Sequence, residues 1–103
     1  MADKSLEILL TNLTIFTGLG YVDAALHSLK EIKDIWGDNL DITLDLEGLE
    51  LNVYRRAADL SLDYAKKYFD EGYSKLARAW IEEARSYASK ANLDISQRIR
   101  EIT

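Results

Sequence analysis

The sequence predicts an all-α protein in which two antiparallel helical hairpins form an irregular four-helix bundle, followed by a short C-terminal helix. Apolar residues recur at steps of three and four along most of the 103 residues, which is the period of one helix face. The chain has no proline, so its five glycines are the main helix breakers. A chain of this length is expected to form a single domain, here residues 1–103.

Hairpin one is predicted over about residues 5–37. Its first helix, about Ser5 to Thr17, follows a capping residue, either Asp3 or Ser5, and stops at a glycine turn. The second helix ends before Gly37, where a left-handed C-cap is typical. The apolar positions of the two helices are Leu6, Leu9, Leu10, Leu13 and Phe16, then Val22, Ala25, Leu29, Ile32 and Trp36.

A linker is predicted over about residues 38–45, where apolar and polar residues alternate at Leu40, Ile42 and Leu44. Alternation is typical of a half-buried strand, but the sequence offers no second strand to pair with it. We interpret the segment as an extended linker. Two alternatives stay open, a strand that pairs with its copy in a dimer and an early start of the following helix.

Hairpin two is predicted over about residues 46–91. Its long first helix begins near Asp45 and ends at Gly72, and its second follows a Ser74 cap. We expect Tyr64, Tyr68 and Trp80 to lie in the core, with their polar tips reaching the surface. A short helix over about residues 94–102 then follows a capping pair formed by Asp94 and Gln97.

Residues 9–39 align without gaps on residues 61–91, which predicts an internal repeat with an offset of 52. Each copy has an aromatic residue, a glycine turn, a small residue and a large apolar residue at the same spacing. The second copy reads Tyr68, Gly72, Ala77, Ile81 and Ala84, with Ala65 before it; the first reads Phe16, Gly20, Ala25, Leu29 and Ile32. Leu13 and Ile32 are larger than their counterparts in the second copy.

This spacing resembles the tetratricopeptide repeat hairpin. The offset of 52 differs from that family's repeat of about 34 residues, so the resemblance implies two such hairpins rather than a regular array. Residues 63–90 are also similar to the hairpins of small archaeal helical proteins of unknown function and of the HEPN superfamily. The ribonucleases of that superfamily have a histidine after an arginine, whereas every arginine here follows His27.

Composition excludes several kinds of site. The chain has no cysteine and one histidine, so disulfides, zinc clusters and thiol chemistry are excluded. His27 lies between Asp23 and Glu31 at four-residue steps, which could orient a general base, but we interpret this as a solvated helix side. We therefore expect no enzyme activity, no catalytic residues, no cofactor and no metal site.

Charge is distributed unevenly. Residues 1–50 carry 3 Lys and Arg against 10 Asp and Glu, whereas residues 51–103 carry 10 against 8. Lys75, Arg78 and Arg85 are predicted to form a basic strip on the fourth helix beside Tyr73 and Trp80, with Arg98 and Arg100 beyond it. Because tyrosine and arginine are enriched at interface anchors, the candidate interaction surface is the set Tyr54, Tyr73, Lys75, Arg78, Arg85 and Tyr87.

These features favour a non-enzymatic protein–protein interaction or assembly module that binds another protein or itself, as the resemblance also implies. Leu44, Leu46 and Leu51 suggest apolar surface for a homo-oligomer. The alternative is a small nucleic-acid-binding regulator that uses the basic strip. The longest apolar run is three residues, so we expect no membrane partner and a cytoplasmic location. One Gln, one Met and no Cys form a thermophile-like composition.

Overall fold

The computed structural model describes residues 5–36 and 45–103, and within these ranges the chain is all-α, as predicted. The helices are α1 (Leu6–Leu19), α2 (Val22–Trp36), α3 (Leu46–Asp70), α4 (Ser74–Lys90) and α5 (Ser96–Ile102). The described residues contain no strand. The predictions for Gly37 and for the alternating segment up to Leu44 lie outside the described residues.

Side chains cap two of the helices at their N-termini. The Ser5 hydroxyl accepts a hydrogen bond from the Ile8 N–H at 3.2 Å, so Ser5 caps α1. The Asp45 carboxylate accepts from the Gly48 N–H at 2.8 Å at the start of α3. Each bond satisfies one of the donors that the first turn of a helix leaves unpaired.

The two hairpin turns have the same local geometry at positions 52 residues apart. Gly20 and Gly72 have φ values of 75° and 88°, in the left-handed region that favours glycine. The Tyr21 N–H donates to the Phe16 carbonyl at 2.9 Å, and the Tyr73 N–H donates to the Tyr68 carbonyl at 2.8 Å. Both turns therefore reverse the chain by a Schellman-type ending of the preceding helix. The repeat itself stays a prediction.

Gly18 in α1 and Gly72 at the second turn should respond oppositely to replacement by alanine. Neither Gly18, inside α1, nor Gly72 has a neighbouring atom that an added Cβ would meet, but only Gly72 has a positive φ. Gly72→Ala should therefore lower the free energy of unfolding by about 1 kcal/mol, whereas Gly18→Ala should raise it by about 0.5–1 kcal/mol. Urea unfolding of both variants checks this. Equal changes in the free energy of unfolding of the two variants would contradict backbone strain at position 72.

Contacts divide the chain into two compact units, Met1–Val53 and Tyr54–Thr103, and the boundary lies inside α3. Unit one contains the hairpin of α1 and α2 together with the first turns of α3. Unit two contains the rest of α3, with α4 and α5. The expectation of a single domain stays a prediction.

Unit one has a core of large aliphatic side chains. Its fully buried members are Leu9, Leu13, Ala25, Leu29, Ile32 and Val53. Leu46, which the sequence suggested as surplus apolar surface, packs against this core. Full burial of a Leu, Ile or Val side chain contributes about 1.5–3 kcal/mol, so this cluster is the main source of stability of unit one.

Unit two has a core of smaller side chains. Its buried members are Ala58, Leu62, Ala84, Ala88 and Ile95, and Tyr87, Ile99 and Ile102 pack against them. Alanine brings little apolar area, but it allows helices to approach closely. Ser61 is buried as well, and its hydroxyl donates to the Ala57 carbonyl at 2.8 Å, which satisfies its hydrogen-bonding need within α3.

Tyr64 differs from the prediction of a core ring with an exposed polar tip, and Tyr68 and Trp80 are buried only in part. Tyr64 is 43% exposed, and Tyr68 and Trp80 are half-buried. Tyr64 stacks on Trp80 with ring centroids 4.8 Å apart. The interior of this hairpin is occupied by Ala65 and other small residues, so the rings lie at its edge instead.

The expected caps of α4 and α5 also differ. Tyr73 is the N-cap of α4 and makes no side-chain cap bond, so the prediction of a Ser74 cap is wrong. Asp94 does accept from the Ser96 N–H at 2.9 Å, but the Gln97 amide donates to Glu101 at 3.3 Å. The Ser96 side chain and N–H bonds hold the pKa of Asp94 below its ordinary value.

Candidate interaction surfaces

The six residues of the predicted interaction surface are divided among three places in unit two. Tyr54 and Tyr87 are half-buried and stack on each other with centroids 6.4 Å apart, and the Lys90 ammonium lies 5.4 Å from the Tyr54 ring centre. This cation–π contact stabilises the pair within the unit. Tyr54 and Tyr87 therefore contribute to packing between α3 and α4.

Tyr73 lies apart from that pair, at the turn between α3 and α4. It is 60% exposed, and its ring meets Tyr68 edge-on with centroids 6.5 Å apart. One edge of Tyr73 is packed, and most of the remaining ring is open to a ligand.

Lys75, Arg78 and Arg85 are exposed on one flank of α4. The buried side of the helix is marked by Ala77, Ile81, Ala84 and Ala88. At 100° per residue, Trp80 projects from the opposite flank to Arg78, where it stacks on Tyr64 of α3. The basic strip is thus separated from the aromatic residue that was expected to lie beside it.

Ion pairs within unit two use several of its arginines. Arg98 of α5 bonds to Asp59 and, at 3.3 Å, to Asp63, both on α3. Arg85 pairs with Glu82, and Arg100 donates to the Gln97 side chain at 3.2 Å. Among the described residues, the basic strip retains Lys75 and Arg78 as exposed cations for which no ion pair is found. Arg98 instead holds α5 against α3.

A groove of about 430 Å³ lies between the end of α4 and α5. Arg85, Arg100, Ser89 and Asp94 contribute polar groups to it, and Leu93 and Ile99 contribute apolar ones. The Asp94 carboxylate opposes the binding of an anion to the two guanidinium groups, so this groove does not define a ligand class.

His27 and its neighbours lie on the surface of α2. The imidazole is 72% exposed, and its Nε2 lies 3.0 Å from a Glu31 carboxylate oxygen. This is the solvated local pair that the four-residue spacing indicated. In the ranges covered by the structure, no group of three or more His, Cys, Asp or Glu side chains could hold a metal ion.

The exposed surface of α1 is a feature that the sequence did not predict. We call it the helix-one face; its members, all exposed, are Glu7, Ile8, Thr11, Thr14, Ile15, Gly18 and Leu19. Ile8, Ile15 and Leu19 are 53%, 51% and 55% exposed and follow steps of seven and four along the helix. Such steps place them in one stripe, and Glu7 is the one charge on the face.

The two threonines of the helix-one face have no unmet hydrogen-bonding need. The Thr11 hydroxyl donates to the Glu7 carbonyl at 2.8 Å, and the Thr14 hydroxyl donates to the Leu10 carbonyl at 2.9 Å. Burying a hydroxyl costs free energy mainly when its hydrogen bond is lost. Because these bonds lie within α1, another surface could cover the threonine side chains at low cost.

The matching positions in α3 and just after its end, counted back from the second glycine turn, are of a different kind. They are Asp59, Leu60, Asp63, Lys66, Lys67, Asp70 and Glu71, so six charged residues stand where α1 has one. Asp59 and Asp63 bond to Arg98 of α5, and the other four charged residues are exposed, as is usual for a helix surface that remains in water. The contrast shows that a solvent-facing helix in this chain can be strongly charged, whereas α1 is not.

A signal for the helix-one face was present in the sequence. Only one of the 14 residues of α1 is charged, and the alignment at offset 52 pairs Ile15 and Leu19 with Lys67 and Glu71. The predicted core positions Leu9 and Leu13 are buried, whereas Ile8, Ile15 and Leu19 lie outside the predicted stripe and are exposed.

No helix in the part of the chain that the structure describes is both long and apolar enough to cross a membrane. Searches against protein-family models, curated proteins and solved structures found no match to the chain. The tetratricopeptide-like and HEPN-like resemblances therefore stay predictions.

Proposed function

We propose that this chain is a non-enzymatic protein–protein interaction or assembly module and that the helix-one face is its contact surface. The observation that carries the proposal is the exposed stripe of Ile8, Ile15 and Leu19 on a helix with one charged residue. Contiguous exposed apolar patches mark interaction sites, whereas single exposed apolar side chains are ordinary. The proposal includes a cytoplasmic location, which the absence of cysteine favours.

The test is affinity capture with the full chain as bait, in native, Ile15→Glu and Leu76→Glu forms. Leu76 is an exposed leucine of unit two, so its variant controls for loss of surface hydrophobicity. We expect Ile15→Glu to lose the proteins, including further copies of the chain, that the native and Leu76→Glu baits retain. Thermal unfolding of each bait checks that it is folded. Identical capture by all three baits would contradict the proposal.

Nucleic-acid binding is the second candidate, because Lys75 and Arg78 are exposed on α4 without an ion pair among the described residues. With two or three phosphate contacts, affinity for a labelled single strand should fall roughly tenfold between 50 and 200 mM salt. Arg78→Glu should weaken binding further, whereas Lys66→Glu, on α3, should change it much less. Fluorescence anisotropy measures all three, and no binding at about 50 mM salt would remove this candidate.

A further inference from the structure

We propose that the place where α5 packs on α3 and α4 is a binding site for an amphipathic helix of another protein, and that α5 occupies this site in the free chain. The site belongs to unit two, whereas the helix-one face belongs to unit one. We call it the α5 seat; buried residues of α3 and α4 form its floor, and two carboxylates of α3 form its edge. The floor residues are Ala58, Leu62, Ala84 and Ala88, and the edge residues are Asp59 and Asp63.

The contacts of α5 show which kind of helix the α5 seat accepts. Ile95, Ile99 and Ile102 follow steps of four and three and pack in one cluster with the floor. Arg98 bonds to Asp59 and, at 3.3 Å, to Asp63. Grooves recognise amphipathic helices through apolar anchors at such steps. The expected occupant therefore presents large apolar residues at these steps and an arginine three residues after the first of them.

Few interactions hold α5 in the seat. It has seven residues, and helices shorter than about 12 residues are marginal on their own in water. Ile99 and Ile102 are half-buried, and Arg98 pairs at an edge that is open to solvent, where ion pairs contribute little. Asp59 also pairs with Arg56 of its own helix at 3.4 Å, so it keeps a cation when α5 leaves. We therefore expect α5 to open locally while α3 and α4 stay folded.

The turn between α4 and α5 supplies a hinge for this opening. Asn92 has a φ of 52°, in the left-handed region that asparagine tolerates better than most residues other than glycine. The Leu93 N–H donates to the Ala88 carbonyl at 2.9 Å and closes the turn. Rotation of Asn92 into the ordinary region of φ opens the turn and carries α5 away from the seat.

The space beside α5 favours an occupant larger than α5. The groove of about 430 Å³ between α5 and the end of α4 stays open while α5 is in place. The α5 of a second copy would fill no more of this groove, and it would compete with a tethered helix whose effective concentration is in the millimolar range. A foreign helix with a further large side chain toward α4 gains contacts that α5 lacks. The net charge of −5 also favours a helix that carries basic residues.

Amide hydrogen exchange of the native chain tests whether α5 opens by itself. We expect the amides of residues 99–103 to exchange at least about tenfold faster than those of Leu62 and Ala84. Asn92→Ala should speed the exchange of α5 several-fold further and leave that of Leu62 unchanged, because alanine tolerates a positive φ less well than asparagine. Exchange of α5 at the rate of Leu62 would mean that α5 leaves only when the whole unit unfolds, which would overturn the proposal.

A fluorescent peptide with the sequence of residues 91–103 serves as the probe of the α5 seat. The native chain should bind it weakly, because its own α5 competes, and Asn92→Ala should bind it several-fold more tightly. Ile99→Asp removes an anchor of the resident α5, so this variant should bind the peptide at least about tenfold more tightly than the native chain. Gln97→Ala, an exposed change on α5, is the control and should bind as the native chain does. Fluorescence anisotropy measures each affinity.

Charge reversal tests whether the peptide occupies the α5 seat. In the Ile99→Asp chain, adding Asp63→Lys should weaken binding of the native-sequence peptide several-fold and strengthen binding of a peptide that carries Arg98→Glu. Asp70→Lys makes the same change of charge at an exposed position of α3 outside the seat and should do neither. A peptide with Ser96→Leu, whose longer side chain reaches into the groove beside α5, should bind more tightly than the native-sequence peptide.

Thermal unfolding shows whether each variant is folded. No binding of the peptide by a folded Ile99→Asp chain would overturn the proposal, and so would binding that Asp63→Lys leaves unchanged. If Ile99→Asp does not fold, Asn92→Ala decides, since equal affinities of this variant and the native chain would overturn the proposal as well. Dimers of the native chain that Asn92→Ala increases, detected by sedimentation, would assign the seat to a second copy and overturn the choice of a foreign helix.

Discussion

Leu62→Ala is expected to lower the free energy of unfolding by about 3 kcal/mol, since the residue is fully buried in the core of unit two. The loss combines the apolar area removed with the cavity that remains. The neighbours of Leu62 in this core include Ala58 and Ala84, whose methyl side chains are too short to fill the cavity. Urea unfolding followed by circular dichroism measures the change.

Leu76→Ala is the matched control, because Leu76 is an exposed leucine of the same unit and should change stability by about 0.5 kcal/mol or less. Amide hydrogen exchange of Leu62→Ala adds a second measurement. If the two units open separately, protection should fall mainly in residues 54–103. A loss as small as that of the control would mean that Leu62 does not fill the core as described.

Ala77→Leu is expected to destabilise the chain by about 1–3 kcal/mol, because Ala77 is fully buried in the first turn of α4. Its N–H donates to the Tyr73 carbonyl at 2.9 Å, which fixes its backbone next to the glycine turn. A leucine there has to push α4 away from its neighbours or adopt a strained rotamer. Thermal unfolding of the variant tests this.

Ala79→Leu provides the comparison, since Ala79 is exposed two residues further along the same helix. It should leave stability within about 0.5 kcal/mol of the native chain. Ala25→Leu, at the matching position of α2, should resemble Ala77→Leu, because Ala25 is also fully buried. Equal stability of Ala77→Leu and Ala79→Leu would show that no close approach of helices occurs at Ala77.

The sequence was sufficient to predict the helices and their turns. Their existence depends on local patterns, such as the three-and-four spacing of Leu6, Leu9 and Leu13 and the glycines at the two turns, and these patterns act over a few residues. The Ser5 cap is local in the same sense. The prediction of a Ser74 cap failed because α4 begins at Ser74 itself, which makes Tyr73 the N-cap residue.

Burial was harder to predict than helix formation. α3 is apolar over a wide arc, so periodicity alone does not tell whether Tyr64 or its neighbour Ala65 points inward. The structure places the smaller residue inside because a core rich in alanine brings helices close together. The polar residue Ser61 is also buried, which periodicity does not predict. Its burial is possible because its hydroxyl is hydrogen-bonded within its own helix.

The interaction surface proposed from the sequence stays a prediction. Lys75, Arg78 and Tyr73 are exposed, whereas Arg98 is paired with Asp59 and Asp63, which lie 35 to 39 positions away in the sequence. No local pattern contains such a contact. The helix-one face becomes evident only when the residues of α1 are compared with those 52 positions later, which are mostly charged.

The continuity of α3 across the boundary between the units has a consequence for how the chain folds. Forming the first turn of a helix is the unfavourable step, while each further residue adds a bond at little cost. Because α3 runs without interruption from Leu46 to Asp70, one nucleation event serves both units. Whichever unit folds first presents the other with a helix end that needs only to be extended. Cutting the chain between Val53 and Tyr54 would remove this advantage and require a second nucleation.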